Sequence, residues 1–294
     1  MKYIRLDASS LLQSDCKRSF YYINILGLTP KTPEVALEWG SAMHKAVAAK
    51  YRGATLDEAT NLALEHYESC IKKGMQVSDT DYRNDLSLIE AIGLYYKEYK
   101  YDNFIPLQGE KDIAVELPFE IPFIVDEKND ITILLCGVMD AVGKTERNVI
   151  KDIKTTKMWN IGQYFESYEM SLQMQFYLWM STILNIFDHP PCIIIDGVFI
   201  QKSGIKLARS QPIEYKSHIV DSMTRWLYKR AISIHQTYIE YQDQPEGWDY
   251  NLCRCNTLYG PCRYKQICVL QPAYQDTKIK TTYQKVIYDP STFS

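Results

Sequence analysis

The spacing of apolar positions changes character along the chain. Over 33–51, Trp39, Met43 and Val47 recur every four residues, the rhythm of one helical face. Pro33 suits the start of that helix, where an amide donor has no partner within the helix. Segments 57–73 and 85–101 also read as helices, with Leu62, Leu64, Ile89, Ile92 and Tyr96 among their apolar positions. The polar stretch 74–84 between them reads as a loop. The first hundred residues are thus predicted to be mainly helical. Short runs rich in Val, Ile and Leu then predict strands at 110–117, 121–126 and 131–142, with turns at 126–130 and 143–148. A strand at 148–155, a long helix over 163–186, a strand at 192–201 and a helix at 219–239 follow. Pro245, Gly247, Gly260 and Pro261 break up the next segment, a loop that needs something other than its own hydrogen bonds to order it. The tail 270–294 shows no clear period and is expected to supply an edge strand or a cover for that loop.

This order predicts an α/β (α+β) fold: a core sheet flanked by helices, with an N-terminal helical elaboration. The whole chain, 1–294, is expected to form one domain. Within it 1–101 is mainly helical, 102–240 is the core, and 241–294 is a cysteine-bearing segment and tail. GxGxxG, GxxxxGK[ST] and GxSxG are all missing, which removes the support for a dinucleotide fold, a P-loop motor or a serine hydrolase. No apolar run reaches membrane length, and the opening residues lack the apolar stretch of a secretory leader. A cytoplasmic protein is expected.

Charge narrows the partners. Lys and Arg number 33 against 36 Asp and Glu, a net of −3, unlike a strongly basic packaging protein. Nucleic-acid chemistry remains open, because a metal-dependent nuclease holds carboxylates at its centre and can confine its basic residues to one channel. The 23 Tyr and 5 Trp can stack on bases, but core packing accounts for most of them.

The stretch 136–157, CGVMDAVGKTERNVIKDIKTTK, carries the chemistry. Asp140 lies near the end of one predicted strand, and the next carries Asp152 and Lys154. Strand periodicity puts Ile150, Asp152 and Lys154 on one face. A hairpin through 143–148 would bring Asp140 beside Asp152. Two neighbouring carboxylates repel unless a cation lies between them, and oxygen donors of this kind suit Mg²⁺ or Mn²⁺. Lys154 would then set a positive charge beside the water that attacks phosphorus. Gly40 and His44 stand one turn apart on the first long helix, and Gln173 and Tyr177 one turn apart on a later one. Lys157 reads as a phosphate contact or a solvated lysine.

Eight cysteines are present, and four of them, Cys253, Cys255, Cys262 and Cys268, crowd near the C-terminus at intervals of one, six and five residues. Without a secretory segment this cluster reads as a metal or cluster site rather than disulfides. The first interval is tight for two ligands of one centre, so distant Cys16 can replace Cys253 or Cys255. Four thiolates suit Zn²⁺ as well as iron–sulfur, and spacing alone does not separate them. Cys70, Cys136 and Cys192 sit in apolar surroundings and read as core residues.

In the order Gly40/His44, Gly137–Asp140, Asp152–Lys154, Gln173/Tyr177, the chain resembles the PD-(D/E)xK nuclease superfamily, in its RecB-like, Cas4-like and phage-exonuclease branch. The resemblance spans roughly 10–270. It implies a restriction-endonuclease-like core. It also implies that His44, Asp140, Asp152 and the carbonyl of Ile153 bind metal, Lys154 assists the nucleophilic water, and Gln173 and Tyr177 line the DNA side. Relatives often carry an acidic residue before GxxD, where Glu110 and Glu116 stand. Iron–sulfur members take one cysteine before the core and three after it, which selects Cys16, Cys255, Cys262 and Cys268 for a [4Fe–4S] cluster, with structural Zn²⁺ as the alternative. The implied activity is a Mg²⁺- or Mn²⁺-dependent DNA exonuclease acting on linear DNA in bacterial or phage recombination, repair or processing. A structure-specific endonuclease, a Cas4-like spacer-processing enzyme and a non-catalytic nucleic-acid-binding module are the alternatives. No helicase motif is present, so unwinding would need a partner helicase; a single-strand annealing protein is a second expected partner.

Overall fold

The structure is a computed structural model and describes residues 2–109, 112–257 and 260–290. Glu110 and Tyr259 lie outside the described residues. Along the chain run β1 (Lys2–Leu6), α1 (Ala8–Gln13), α2 (Lys17–Phe20), β2 (Leu28–Pro30), α3 (Val35–Tyr51), α4 (Leu56–Lys72) and α5 (Asp85–Glu98). Then come β3 (Ile105–Pro106), β4 (Val115–Asp126), β5 (Ile131–Lys144), β6 (Asn148–Thr156), α6 (Ile161–Glu169), α7 (Leu172–Ile183), β7 (Cys192–Gln201), β8 (Gly204–Arg209) and β9 (Ile213–Glu214). The C-terminal part holds α8 (Ser217–Tyr241), β10 (Asn256–Thr257), β11 (Gly260–Pro261), α9 (Lys265–Cys268), α10 (Pro272–Thr282) and β12 (Tyr283–Lys285). The chain divides into two compact units. One comprises Met1–Lys31, Pro118–Gly137 and His218–Ser294; the other comprises Thr32–Leu117 and Val138–Ser217.

The second unit holds α3–α5 and a mixed sheet in the order β5-β6-β7-β8. β5 and β6 are antiparallel, from Ala141 opposite Lys151 to Lys144 opposite Asn148. β6 and β7 are parallel, with Asp152 opposite Ile195 and Lys154 opposite Gly197. This is the expected fold class, a mixed sheet with helices packed on it. α4 and α5 start where polar side chains replace missing backbone partners. The Thr55 hydroxyl accepts from the Glu58 amide while the Glu58 carboxylate accepts from the Thr55 amide, and Asn84 and Ser87 repeat the device. Ala42, Ala46, Ala59, Ala63 and Ala91 let the three helices approach closely, and Ile153, Val198 and Ile200 of the sheet join the same core.

In the first unit, β1 pairs in parallel with the opening of β5, Lys2 opposite Ile131 through Leu6 opposite Leu135. The tail contributes α10 and then β12, which pairs with β2 through Tyr283 opposite Pro30. One of the two roles expected of the tail, an edge strand, is thus filled.

Two of the predicted stretches are divided differently. The single helix over 163–186 is two, α6 and α7, because the Ser171 hydroxyl accepts from the Met174 amide and caps a fresh start. The strands 110–117 and 121–126 are one, β4, which bends where Glu116 takes φ 51. Pro118 and Pro122 are tolerated because, among the described residues, β4 pairs with β5 alone and so needs donors on one side only.

Candidate active site

The candidate site lies within the second unit. One step beyond the Ala141–Lys151 pair stand Asp140 on β5 and Asp152 on β6. The amide of Ile153 donates to Asp140 Oδ2 at 2.7 Å, and His44 Nδ1 lies 3.2 Å from Asp140 Oδ1. Both oxygens of Asp140 are therefore engaged. Asp152 is 1% exposed. Its Oδ2 meets Lys154 Nζ at 2.6 Å, while its Oδ1 is buried with no hydrogen-bond donor among the described residues. Alternation along β6 sends Asp152 and Lys154 to one side. The intervening Ile153 side chain enters the core under α3–α5 and pins the strand.

His44 reaches Asp140 because α3 runs close to β6. A Cβ on Gly40 would stand 3.1 Å from Thr155 Oγ1, tighter than ordinary contact, so a side chain there requires Thr155 or the helix to give by a few tenths of an ångström. On α7, Gln173 Nε2 donates to Tyr177 OH at 3.2 Å, and Tyr177 OH donates to the carbonyl of Val138 at 2.8 Å. Tyr177 thus braces β5 beside Asp140. The neighbouring Gln175 is buried and donates to the Glu169 carbonyl, a packing role.

The electrostatics of the two carboxylates diverge. Burial pushes Asp152 up to about 6, helped by the Asp140 charge and only partly opposed by Lys154 and His44. Burial also works against Asp140, but His44, Lys154 and the Ile153 amide outweigh it and hold it below the usual range. Burial lowers Lys154 and His44, but the facing carboxylates win and both end raised. A buried carboxylate with an orphaned oxygen, beside a second carboxylate and an imidazole, is a donor set that a hard divalent cation completes.

Lys157 is not simply solvated: Lys157 Nζ lies 2.7 Å from Asp81. Glu116 lies 3.1 Å from Arg52 and is committed there. The hydrophobic pattern gave no sign of a buried charge network one residue from Asp152. Lys151 is fully buried and pairs with Asp102. Arg209 bridges Asp196 at 2.6 Å and Asp102 at 2.9 Å, and Tyr95 OH donates to Asp196 at 2.8 Å. The available signal was a Lys and an Asp inside otherwise apolar strands, since a charge in a buried strand requires a partner.

Cys16, Cys253, Cys255, Cys262 and Cys268 lie in the first unit. Cys16 is buried ahead of α2, and the Asn251 amide donates to its Sγ at 3.5 Å. Cys255 donates to the Asn251 carbonyl at 3.8 Å, and the Cys262 amide donates to the Cys255 carbonyl at 3.0 Å. Burial pushes Cys268 up to about 11, with Cys262, Cys16 and Cys255 adding to the rise. Burial raises Cys255 too, followed by Cys16 and Cys262, with Cys253 adding to the rise and Lys265 opposing it. Cys16, Cys255, Cys262 and Cys268 act on one another electrostatically, and exposed Cys253 acts on Cys255 as well. Of the cysteines read as core, Cys136 and Cys192 are fully buried, whereas buried Cys70 turns its thiol to Glu38.

No curated protein matches the chain. Among solved structures, a candidate exonuclease from Eubacterium rectale is 11% identical, with 90% of this chain and 93% of that one covered at a TM-score of 0.49. A protein designated SSO0001 is 15% identical, with 78% and 85% covered at a TM-score of 0.29. The profile of the PD-(D/E)XK nuclease superfamily matches residues 12–269, which include His44, the two aspartates, Lys154, Cys16, Cys255, Cys262 and Cys268, and the chain belongs to that superfamily.

Proposed function

We propose that this protein is a Mg²⁺- or Mn²⁺-dependent deoxyribonuclease that degrades linear DNA from its ends. The observation that carries the metal-dependent reading is Asp152, buried beside Asp140 with one oxygen lacking any donor among the described residues. His44, Asp140, Asp152 and the Ile153 carbonyl are the groups that would hold the cation. Held there, a divalent cation supplies Lewis acidity, lowering the pKa of a water and offsetting charge on the phosphate. Lys154, against Asp152 Oδ2, orients the attacking water and adds positive charge beside the scissile phosphate. The attacking water gives up a proton to solvent as its oxygen bonds to phosphorus, the bond from phosphorus to the leaving sugar oxygen breaks, and solvent gives a proton to that oxygen. Gln173 and Tyr177 line the DNA side.

The exonuclease choice rests on the resemblance to phage-type enzymes. The net charge of −3 favours a local grip on DNA over broad surface binding. Cys16, Cys255, Cys262 and Cys268 would hold a [4Fe–4S] cluster. The setting is bacterial or phage DNA processing in the cytoplasm, alongside a helicase or annealing protein; among the described residues no helix is long and apolar enough to cross a membrane.

The test incubates the purified protein with end-labelled linear DNA and covalently closed circular DNA, with Mg²⁺, Mn²⁺ or a chelator. Loss of the linear form alone, abolished by the chelator and by Asp152→Ala, is the expected result. Equal cutting of both forms replaces the exonuclease with an endonuclease. Undiminished cutting by Asp152→Ala overturns the site.

A further inference from the structure

Away from the two aspartates, α3 and α4 bring three other metal-binding side chains together. Glu38 stands in the first turn of α3. His66 and Cys70 lie one turn apart on α4, so they share a face. His66 Nε2 is 3.0 Å from Glu38 Oε2, and the Cys70 thiol donates to the same oxygen at 3.3 Å. One oxygen, one nitrogen and one sulfur thus all lie within 4.8 Å of one another.

We propose that Glu38, His66 and Cys70 form a zinc site that clamps α3 to α4. The donor set selects the metal. Mg²⁺ and Mn²⁺ favour oxygen, whereas a mixed sulfur, nitrogen and oxygen set suits Zn²⁺. Tetrahedral zinc with ordinary bond lengths separates nitrogen from oxygen by about 3.3 Å and sulfur from oxygen by about 3.6 Å. Both observed separations are shorter by a few tenths, as expected of ligands drawn together by hydrogen bonds. Opening the triangle by that amount needs only side-chain rotation.

Burial matches the task. Cys70 is 3% exposed, while the Glu38 and His66 side chains are about a quarter exposed, at 25% and 23%. Water therefore reaches the fourth coordination position from the outer side. Binding would deprotonate Cys70 and use the neutral imidazole of His66, releasing a proton from the thiol. The clamp bears on α3, the helix that carries His44, and its ligands are separate from those of the candidate active site.

The test uses the full-length protein in excess Mg²⁺, which occupies the oxygen-donor site, with wild type compared against Cys70→Ser and His66→Gln. Zinc per chain is counted by native mass spectrometry, and thermal midpoints are taken with and without zinc. Wild type should hold one more zinc than either variant, and Cys255→Ser should keep that zinc. Zinc at about a hundred times its dissociation constant should raise the wild-type midpoint by roughly 5 °C and shift neither variant to that extent. Cobalt should show a thiolate charge-transfer band that weakens in Cys70→Ser. His66→Gln can keep a hydrogen bond to Glu38, so it separates lost metal binding from lost folding. Equal zinc counts in wild type and both variants overturn the site, as does a wild-type midpoint that zinc leaves unchanged.

Discussion

Asp152 and Lys154 touch, yet their removal should fail in different ways. Asp152 offers the orphaned oxygen, so Asp152→Ala should abolish Mn²⁺ binding by titration calorimetry together with cleavage. Lys154 offers no metal-binding electron pair while protonated, and its pKa is raised. Lys154→Ala should therefore keep Mn²⁺ affinity within a few fold and lose about a hundredfold or more in kcat. Retained Mn²⁺ binding by Asp152→Ala would reverse the roles. These residues were legible because carboxylates and a lysine two positions apart on a strand must share a side. Lys151 was not, because its partners Asp102 and Asp196, and Arg209 that shares them, come from distant segments and only the fold reveals them. That network predicts an acid response. Burial works against the Asp102 charge, but Arg209 and Lys151 hold the folded pKa down to about 2, below the unfolded value. Its stabilisation is then present above about pH 4 and lost as pH falls toward 2. The pH-dependent part of the stability gap between wild type and Asp102→Asn should be about 2 kcal/mol at neutral pH and vanish over that acid window. A gap independent of pH, followed by urea unfolding, would contradict it.

Helix α3 places His44 only as well as it packs on β6. Gly40 permits that packing, with Thr155 Oγ1 at 3.1 Å from where its Cβ would stand. Gly40→Ala should shift the helix by a few tenths of an ångström, leave the melting midpoint within a few degrees, and lower kcat/KM by about tenfold. Removing the obstructing atom should undo the damage, so Gly40→Ala with Thr155→Ala should recover most of the activity. No recovery in the double variant would show that Gly40 acts otherwise. Helix α3 and the β5–β6 hairpin were legible because their periods run unbroken through well-marked turns. The break between α6 and α7 was not, since apolar residues continue across it and a single Ser171 hydroxyl decides it. β1 escaped notice for a different reason: five residues are too few to establish a period, and what makes them a strand is the opening of β5 beside them.

At the scale of the molecule, the two compact units hold different chemistries: Asp140 and Asp152 lie in one, and Cys16, Cys255, Cys262 and Cys268 in the other. The first unit is assembled from three separate stretches of chain; Cys16 comes from the first of them, and Cys255, Cys262 and Cys268 come from the last. The motif order sets the carboxylates apart from the thiols along the chain, but neither the two units nor the path of the tail is legible from it, since β12 is defined only by its partner β2. Cys16 is buried ahead of α2, while Cys255 and Cys262 lie in a segment of very short elements with little regular hydrogen bonding of their own. A metal or cluster bound by these thiols would close a long loop and transfer its binding free energy to folding. Cys16→Ala should then destabilise the first unit as much as Cys262→Ala does, although the two positions are far apart in sequence. Cys253→Ala should be much milder, because that thiol is exposed. Protein prepared without oxygen should be brown, carry about four irons per chain and absorb broadly near ~400 nm, features all lost in Cys16→Ala. A colourless preparation with one zinc and no iron would replace the cluster with zinc while keeping the ligands. An undiminished iron content in Cys16→Ala would remove Cys16 from the set. Because the carboxylates belong to the other unit, Mn²⁺ affinity measured on the folded fraction should be the same in Cys16→Ala and wild type. A selective loss of Mn²⁺ affinity in that fraction would show that the thiols serve the nuclease centre directly.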